Sequence, residues 1–208
     1  MTAVVCWERR VGPLSELVVI SDSRLGGGQR WDACPKIFAT GRGDAVLAFA
    51  GDTLRAYPLI LQALATVSSY QASSRGDLDI RDLASHLAHA LNHMRSINVR
   101  GEAKANPDCE LLLAGWSWRL GKFRAYPIRY ETGRNAEGGT VRKFIASPAG
   151  PAPAMLGGEA ATVVYATIGD AGTKVTGSLA RKSQARIGPL DVMPRHVGRD
   201  RVTTRSEL

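Results

Sequence analysis

Three residues near the start of the chain have the types and the spacing of a hydrolytic site. Thr2 follows Met1, Asp22 closes a β-rich stretch, and Lys36 opens the next one. A threonine hydroxyl is a weak nucleophile until a base takes its proton. If Met1 is removed, the α-amine of Thr2 can be that base, because a terminal amine has an ordinary pKa of roughly 7.7–8.0. The sequence therefore predicts a nucleophile that carries its own base.

A lysine, an aspartate and a glycine would complete such a site. Lys36 beside the amine would keep it neutral by like-charge repulsion, and Asp22 would fix and neutralise the lysine. The backbone N–H of Gly51 would face the oxyanion, where a glycine allows close approach of substrate. The four residues are separated by 20, 14 and 15 positions, which suits the ends of successive short strands. Each has an ordinary alternative: Asp22 in a turn, Lys36 on a solvated strand, and Gly51 in a loop.

The elements that must position these residues follow from periodicity and turn signals. β-Branched and aromatic enrichment predicts an early antiparallel sheet, and 3.6-residue periodicity then predicts helices. Predicted strands lie at 3–8, 16–21, 36–40, 44–50, 110–114, 122–130 and 141–146, and predicted helices at 53–71, 80–98 and, more weakly, 155–168. Pro127 inside a strand predicts an edge position or a bulge. Residues 1–193 are expected to form one domain, with its last strands at 173–193 and a frayed basic tail at 194–208.

The N-terminal half resembles the proteasome β-subunit family, which includes the peptidase subunit of the bacterial HslUV protease. The segments that carry the resemblance are MT at 1–2, SDSR at 21–24, CPKI at 34–37 and AFAGD at 48–52. It covers residues 2–55 well and extends by element order to about residue 147. The resemblance implies an N-terminal-nucleophile (Ntn) hydrolase, a threonine-type peptidase that cleaves peptide bonds. The expected fold is α+β, a four-layer αββα sandwich of two antiparallel sheets flanked by helices.

The resemblance also implies further site residues. Ser147 resembles a serine that supports the terminal amine, and Asp170 and Thr173 stand where a late aspartate and serine would be. Only 22 residues separate Ser147 from Asp170, too few for the family's usual pair of long helices. The residues that fall near substrate-pocket positions are Leu25, Cys34, Phe49 and Thr53. Core packing would explain Phe49 equally well.

The partners expected from the resemblance are a peptide or unfolded-protein substrate and other copies of the chain in a ring. An ATPase unfoldase is a further partner that the sequence does not identify. No cofactor or metal is expected. Two other functions stay open: a catalytically inactive proteasome-like scaffold or binding protein, and an Ntn amidase acting on a small amide. The histidines His86, His89 and His93 share one side of the second helix, where a solvated or subunit-facing surface is the better reading than zinc.

Charge, hydropathy and cysteine content indicate which other kinds of protein the chain could be. The 208 residues carry a net charge of +8, and residues 171–208 hold eight basic and three acidic side chains. A basic end can bind nucleic acid, but it also keeps an assembly soluble, and no nucleic-acid-binding motif supports the first reading. No apolar run approaches the roughly 20 residues that span a bilayer, and the first twelve residues do not have the pattern of a secretory signal, so none is expected. Three widely spaced cysteines favour reduced thiols, so a cytoplasmic location is expected.

Overall fold

The structure is a computed structural model. The residues it describes are 4–11, 13–21, 34–97, 109–134, 136–149, 161–168, 195–198 and 202–204. In chain order the elements are β1 (Val4–Val11), β2 (Leu14–Ser21), β3 (Ile37–Ala39), β4 (Ala45–Gly51), α1 (Thr53–Ser69), α2 (Gln71–Ser74), α3 (Ile80–Ile97), β5 (Cys109–Ser117), β6 (Lys122–Arg134), β7 (Thr140–Ala146), β8 (Ala161–Ile168), β9 (Arg195–Gly198) and β10 (Val202–Thr204).

Two five-stranded antiparallel sheets form the fold. The first has the strand order β10-β9-β2-β1-β8, and the second has the order β3-β4-β5-β6-β7. The β1–β2 pair is a hairpin in which Val4 lies opposite Ser21. The start of β1 and the end of β2 therefore lie side by side at the same end of the first sheet. The chain belongs to the α+β class, with two antiparallel sheets and a few helices.

Two buried clusters show how the layers pack. One lies between the sheets and contains Val4, Cys6 and Leu17 of the first sheet with Ala48 and Leu112 of the second. The other lies between the opposite face of the second sheet and the helices α1 and α3; its members include Phe49, Ile60, Leu83, Leu87, Leu91 and Leu111. The alternation of strand side chains explains this division, because successive residues of β4 face opposite sides. The second sheet is thus covered on both faces.

The two long helices lie close to the bounds expected from periodicity. α1 begins at Thr53, after Asp52, whose carboxylate accepts the N–H of Leu54 at 2.9 Å as an N-terminal cap. α3 places Ile80 and Leu83 in the core, together with Leu87 and Leu91, as its 3.6-residue pattern predicts. No helix in the described part of the chain is long and apolar enough to cross a membrane.

Three expectations about local structure were wrong. Residues 161–168, inside the predicted helix at 155–168, form strand β8 beside β1, in keeping with the β-branched Thr162, Val163 and Val164. Residues 195–198 and 202–204 form β9 and β10 and extend the first sheet, so they are not a frayed tail. Pro127 lies in β6, which has neighbours on both sides, rather than in an edge strand. The regular β6–β7 pairing begins at Ile128, so the missing N–H of Pro127 falls where β7 has already ended.

Candidate active site

Lys36 is a buried lysine directly before β3. Its residue is only 3% exposed, and its carbonyl accepts the N–H of Phe49 at 3.1 Å, which continues the β3–β4 ladder by one pair. Lys36 also has a further interaction partner in the structure. Charged residues are almost never buried unless they are paired, so the burial of Lys36 depends on that partner. The solvated-strand alternative for Lys36 is excluded by this burial.

Gly51 ends β4 at the same end of the β3–β4 pair. Its φ of 113° lies in the region that glycine adopts without steric cost. The next residue, Asp52, caps α1, so Gly51 forms the turn from strand to helix. A side chain at this position would strain the backbone, which gives the glycine a local structural reason as well as a functional one.

Two of the predicted pocket residues, Cys34 and Phe49, contact Tyr57, which the sequence analysis did not single out. The Tyr57 hydroxyl donates to the carbonyl of Pro35 at 2.9 Å and lies 2.6 Å from the sulfur of Cys34. Burial raises the pKa of Tyr57 well above its usual range, and the hydrogen bond with Cys34 raises it further.

Tyr57 also closes the aromatic packing on this side of the second sheet. Its ring meets that of Phe49 edge-on at 5.5 Å and that of Phe38 at 6.0 Å. Phe49 is 0% exposed and belongs to the core between sheet and helices, so it presents no surface to a substrate. Thr53 is half-buried one helical turn before Tyr57. That spacing of four residues is the sequence signal from which Tyr57 could have been added to the predicted set.

Ser147 lies on the opposite side of the second sheet from Lys36. Its N–H donates to the carbonyl of Pro127 at 3.1 Å, and two residues later Ala149 packs against the cluster between the sheets. Successive cross-strand pairs place Ser147 four strands from the residue after Lys36, Ile37. At roughly 4.8 Å per strand this is on the order of 19 Å. Ser147 and Lys36 can serve one site only if its reacting atoms lie between them.

The remaining predicted residues lie outside the described part of the chain: Thr2, Asp22, Leu25, Asp170 and Thr173. Their described neighbours are informative. Val4 follows Thr2 by two residues and pairs with Ser21, which directly precedes Asp22. Val4 also belongs to the buried cluster between the sheets, together with Ile37 and Ala50, the residues next to Lys36 and Gly51. The residues that flank Thr2, Lys36 and Gly51 thus belong to the buried cluster between the sheets, and the residue that flanks Asp22 pairs with a member of it.

The other candidate groups do not form a site. His86 stacks on the ring of Tyr70 at 4.9 Å, while His89 and His93 are exposed on α3. Within the described ranges, no group of three His, Cys, Asp or Glu side chains is arranged to hold a metal ion. Cys6 is completely buried, and burial raises the pKa of its thiol far above its usual range, so its thiolate is not available as a nucleophile.

No protein-family model and no curated protein matches the chain.

Proposed function

We propose that this chain is a threonine-type peptidase of the proteasome-like class, with the fold of the Ntn hydrolases. In this proposal Thr2, exposed by removal of Met1, is the nucleophile. Its hydroxyl attacks the carbonyl carbon of a peptide bond, and its own amine takes the hydroxyl proton and returns it to the leaving amine. Water then hydrolyses the resulting ester and regenerates the threonine.

The observation that carries the proposal is the burial of Lys36 beside the cluster that contains Val4. In the proposed site the Lys36 ammonium lies near the terminal amine and keeps it neutral, and the Asp22 carboxylate is its charged partner. The turn at Gly51 offers its N–H to the oxyanion. In this proposal, a fourth layer of helices on the other face of the first sheet completes the αββα sandwich; no helix of the described residues supplies that layer. Ser147, Asp170 and Thr173 are proposed as supporting residues.

A second candidate is a catalytically inactive scaffold of the same fold. The filled space around Tyr57 favours it, because the side chains expected to line a substrate pocket pack against one another there. The same packing is compatible with an enzyme that accepts only small side chains, including one that acts on a small amide. Tyr57→Ala would then open the space and admit bulkier substrates, whereas an inactive scaffold would gain nothing from it.

Labelling with an epoxyketone tests the proposal directly. This reagent captures a hydroxyl and an amine on the same terminal residue, so an adduct reports both groups. Intact-mass measurement of the purified protein first shows whether Met1 is lost. We expect one adduct per chain in the natural sequence and none in Thr2→Ala.

Two lysine variants separate a catalytic lysine from a structural one. Lys36→Met should abolish labelling and retain the circular dichroism spectrum. Lys122→Met, which removes an exposed lysine at the start of β6, should retain both. Retention of Met1, or equal labelling of Thr2→Ala, would refute the assignment of Thr2 as the nucleophile. If a fluorogenic panel shows hydrolysis of small amides but of no peptide, the chain would still be an Ntn hydrolase, but the proposed peptidase activity would be refuted.

A further inference from the structure

A second feature of the molecule is an open groove between α3 and β7. It has a volume of about 860 Å³ and is lined by one side of α3, by residues 141–146 of β7 and by Tyr130 of β6. β7 is the last strand in the described order of the second sheet, so no described strand pairs with one of its edges. Such an edge carries backbone N–H and C=O groups that can pair with another chain.

The charges that face this groove are positive. The guanidinium groups of Arg95 and Arg142 stand over the ring of Tyr130, at 4.4 and 5.1 Å from its centre. Among the described residues, the lining includes His89 and no carboxylate. Lys143 also lines the groove, but its ammonium donates to the carbonyl of Arg134. Arg95 is engaged as well, since its Nη2 donates to the Tyr130 hydroxyl at 3.4 Å. Arg142 is exposed, and its guanidinium is complementary in charge and shape to a carboxylate.

Asn92 shows what kind of group the edge of β7 accepts. Its side-chain amide donates to the carbonyl of Phe144 at 2.9 Å and accepts the N–H of Phe144 at 2.6 Å. These are the two hydrogen bonds that a residue of an added antiparallel strand would make with Phe144. The edge is therefore already bound by an amide at one position, and Arg142 lies two residues away on the same face of the strand.

We propose that this groove binds an extended peptide segment with acidic side chains. The segment pairs with β7 on the side of Arg142, as in other cases where a strand is added to a sheet edge, and one of its carboxylates binds the guanidinium of Arg142. The apolar parts of the lining, Ala88 and Val141, accept the intervening side chains. Single-stranded nucleic acid fits less well, because the Tyr130 ring carries the two arginines on its face and offers less surface for a base to stack. The site is independent of the proposed hydrolase chemistry.

Fluorescence polarisation with the full-length protein tests the proposal. The probe is a labelled peptide of about eight residues, slightly longer than an average strand, in which glutamate and valine alternate. We expect it to bind, and we expect Arg142→Ala to weaken it about tenfold, which corresponds to about 1.4 kcal/mol. Arg119→Ala is the matched control, because Arg119 is exposed, pairs with Asp82 and also stands over an aromatic ring, that of Trp118, elsewhere in the fold. It should leave the affinity unchanged.

Three other kinds of probe give outcomes that overturn the proposal. Equal binding of the corresponding lysine–valine peptide would show that charge complementarity is not the cause. Tighter binding of an oligothymidylate of about eight nucleotides would assign the groove to nucleic acid instead. Two further peptides carry N-methyl groups either at the odd or at the even residues. One of them should lose binding, because its methyl groups replace the N–H groups that pair with β7. Undiminished binding of both would exclude pairing with the strand edge. Equal weakening by Arg119→Ala would show that only the net charge matters.

Discussion

The buried arginine of the β3–β4 turn gives a prediction about stability that can be worked out from its contacts. Arg42 donates from Nε and Nη2 to the two carboxylate oxygens of Asp44 at 2.7 and 2.6 Å, and from Nη1 to the carbonyl of Leu78 at 2.8 Å. The side chain of Arg42 is 1% exposed and that of Asp44 is 24% exposed. The pair therefore ties the turn that sets the β3–β4 register to the loop before α3.

This difference in exposure predicts which single substitution costs more. Asp44→Ala leaves a guanidinium almost fully buried with one carbonyl acceptor, and removal of one partner of a buried pair costs about 3–5 kcal/mol. Arg42→Met leaves a carboxylate that water reaches, so we expect a smaller loss of about 1–3 kcal/mol. The double variant removes both charges. It should be more stable than Asp44→Ala alone, because an apolar replacement of a buried pair is often close to neutral.

Urea denaturation of the four proteins measures this double-mutant cycle. Arg129→Ala is the matched control, since Arg129 pairs with Glu110 at 3.5 Å on the same sheet but both side chains are over a third exposed. We expect it to cost less than about 1 kcal/mol. If Arg42→Met costs more than Asp44→Ala, or if the two losses simply add, the reasoning from burial is wrong.

Three further predictions concern single positions. Asp52→Ala removes the carboxylate that accepts the N–H of Leu54 and should cost about 0.5–2 kcal/mol in urea denaturation, with Asp52→Asn costing less; equal losses would exclude the cap as the cause. Gly115→Ala would place a methyl group 2.3 Å from the carbonyl oxygen of Asp44, so a loss of at least about 1–3 kcal/mol is expected in thermal melting, and an unchanged melting temperature would contradict the packing. The raised pKa of Tyr57 means that the unfolded chain loses this proton near its ordinary value of about 10 while the folded chain keeps it, so stability should fall as the pH rises above about 10. Tyr57→Phe should reduce that fall, and an identical pH profile would refute the assignment.

The elements that could be predicted from the sequence are those whose own pattern decides their structure. α3 has an apolar face at helical spacing, and the β1–β2 hairpin has two β-branched runs around a Gly-Pro turn, so both lie close to their predicted bounds. β8 was predicted only weakly as part of a helix, and its β-branched side chains, which disfavour a helix, were the signal for the strand. β9 and β10 are only four and three residues long, and they are strands because β9 pairs with β2 and β10 pairs with β9. These pairings depend on the tertiary structure, so the residues of β9 and β10 alone do not predict them.

The candidate site divides in the same way. The positions of Lys36 before β3 and of Gly51 at the end of β4 agree with the prediction, because strand ends follow from local sequence. The contact between Cys34 and Tyr57 joins residues 23 positions apart, and the packing of α1 on the second sheet creates it. The roles of Thr2 and Asp22 remain predictions, to be decided by the labelling experiment.

The order in which the strands are synthesised has a consequence for folding. Each strand of the second sheet pairs only with strands adjacent in the chain, with the helices inserted between β4 and β5. The first sheet closes only when Val4 meets Ile168 and Leu17 meets Val197. Contacts between such distant residues form slowly, because a long loop must be closed first. On the ribosome we therefore expect the second sheet and its helices to fold early, while the β1–β2 hairpin gains its outer neighbours β8 and β9 only near the end of synthesis.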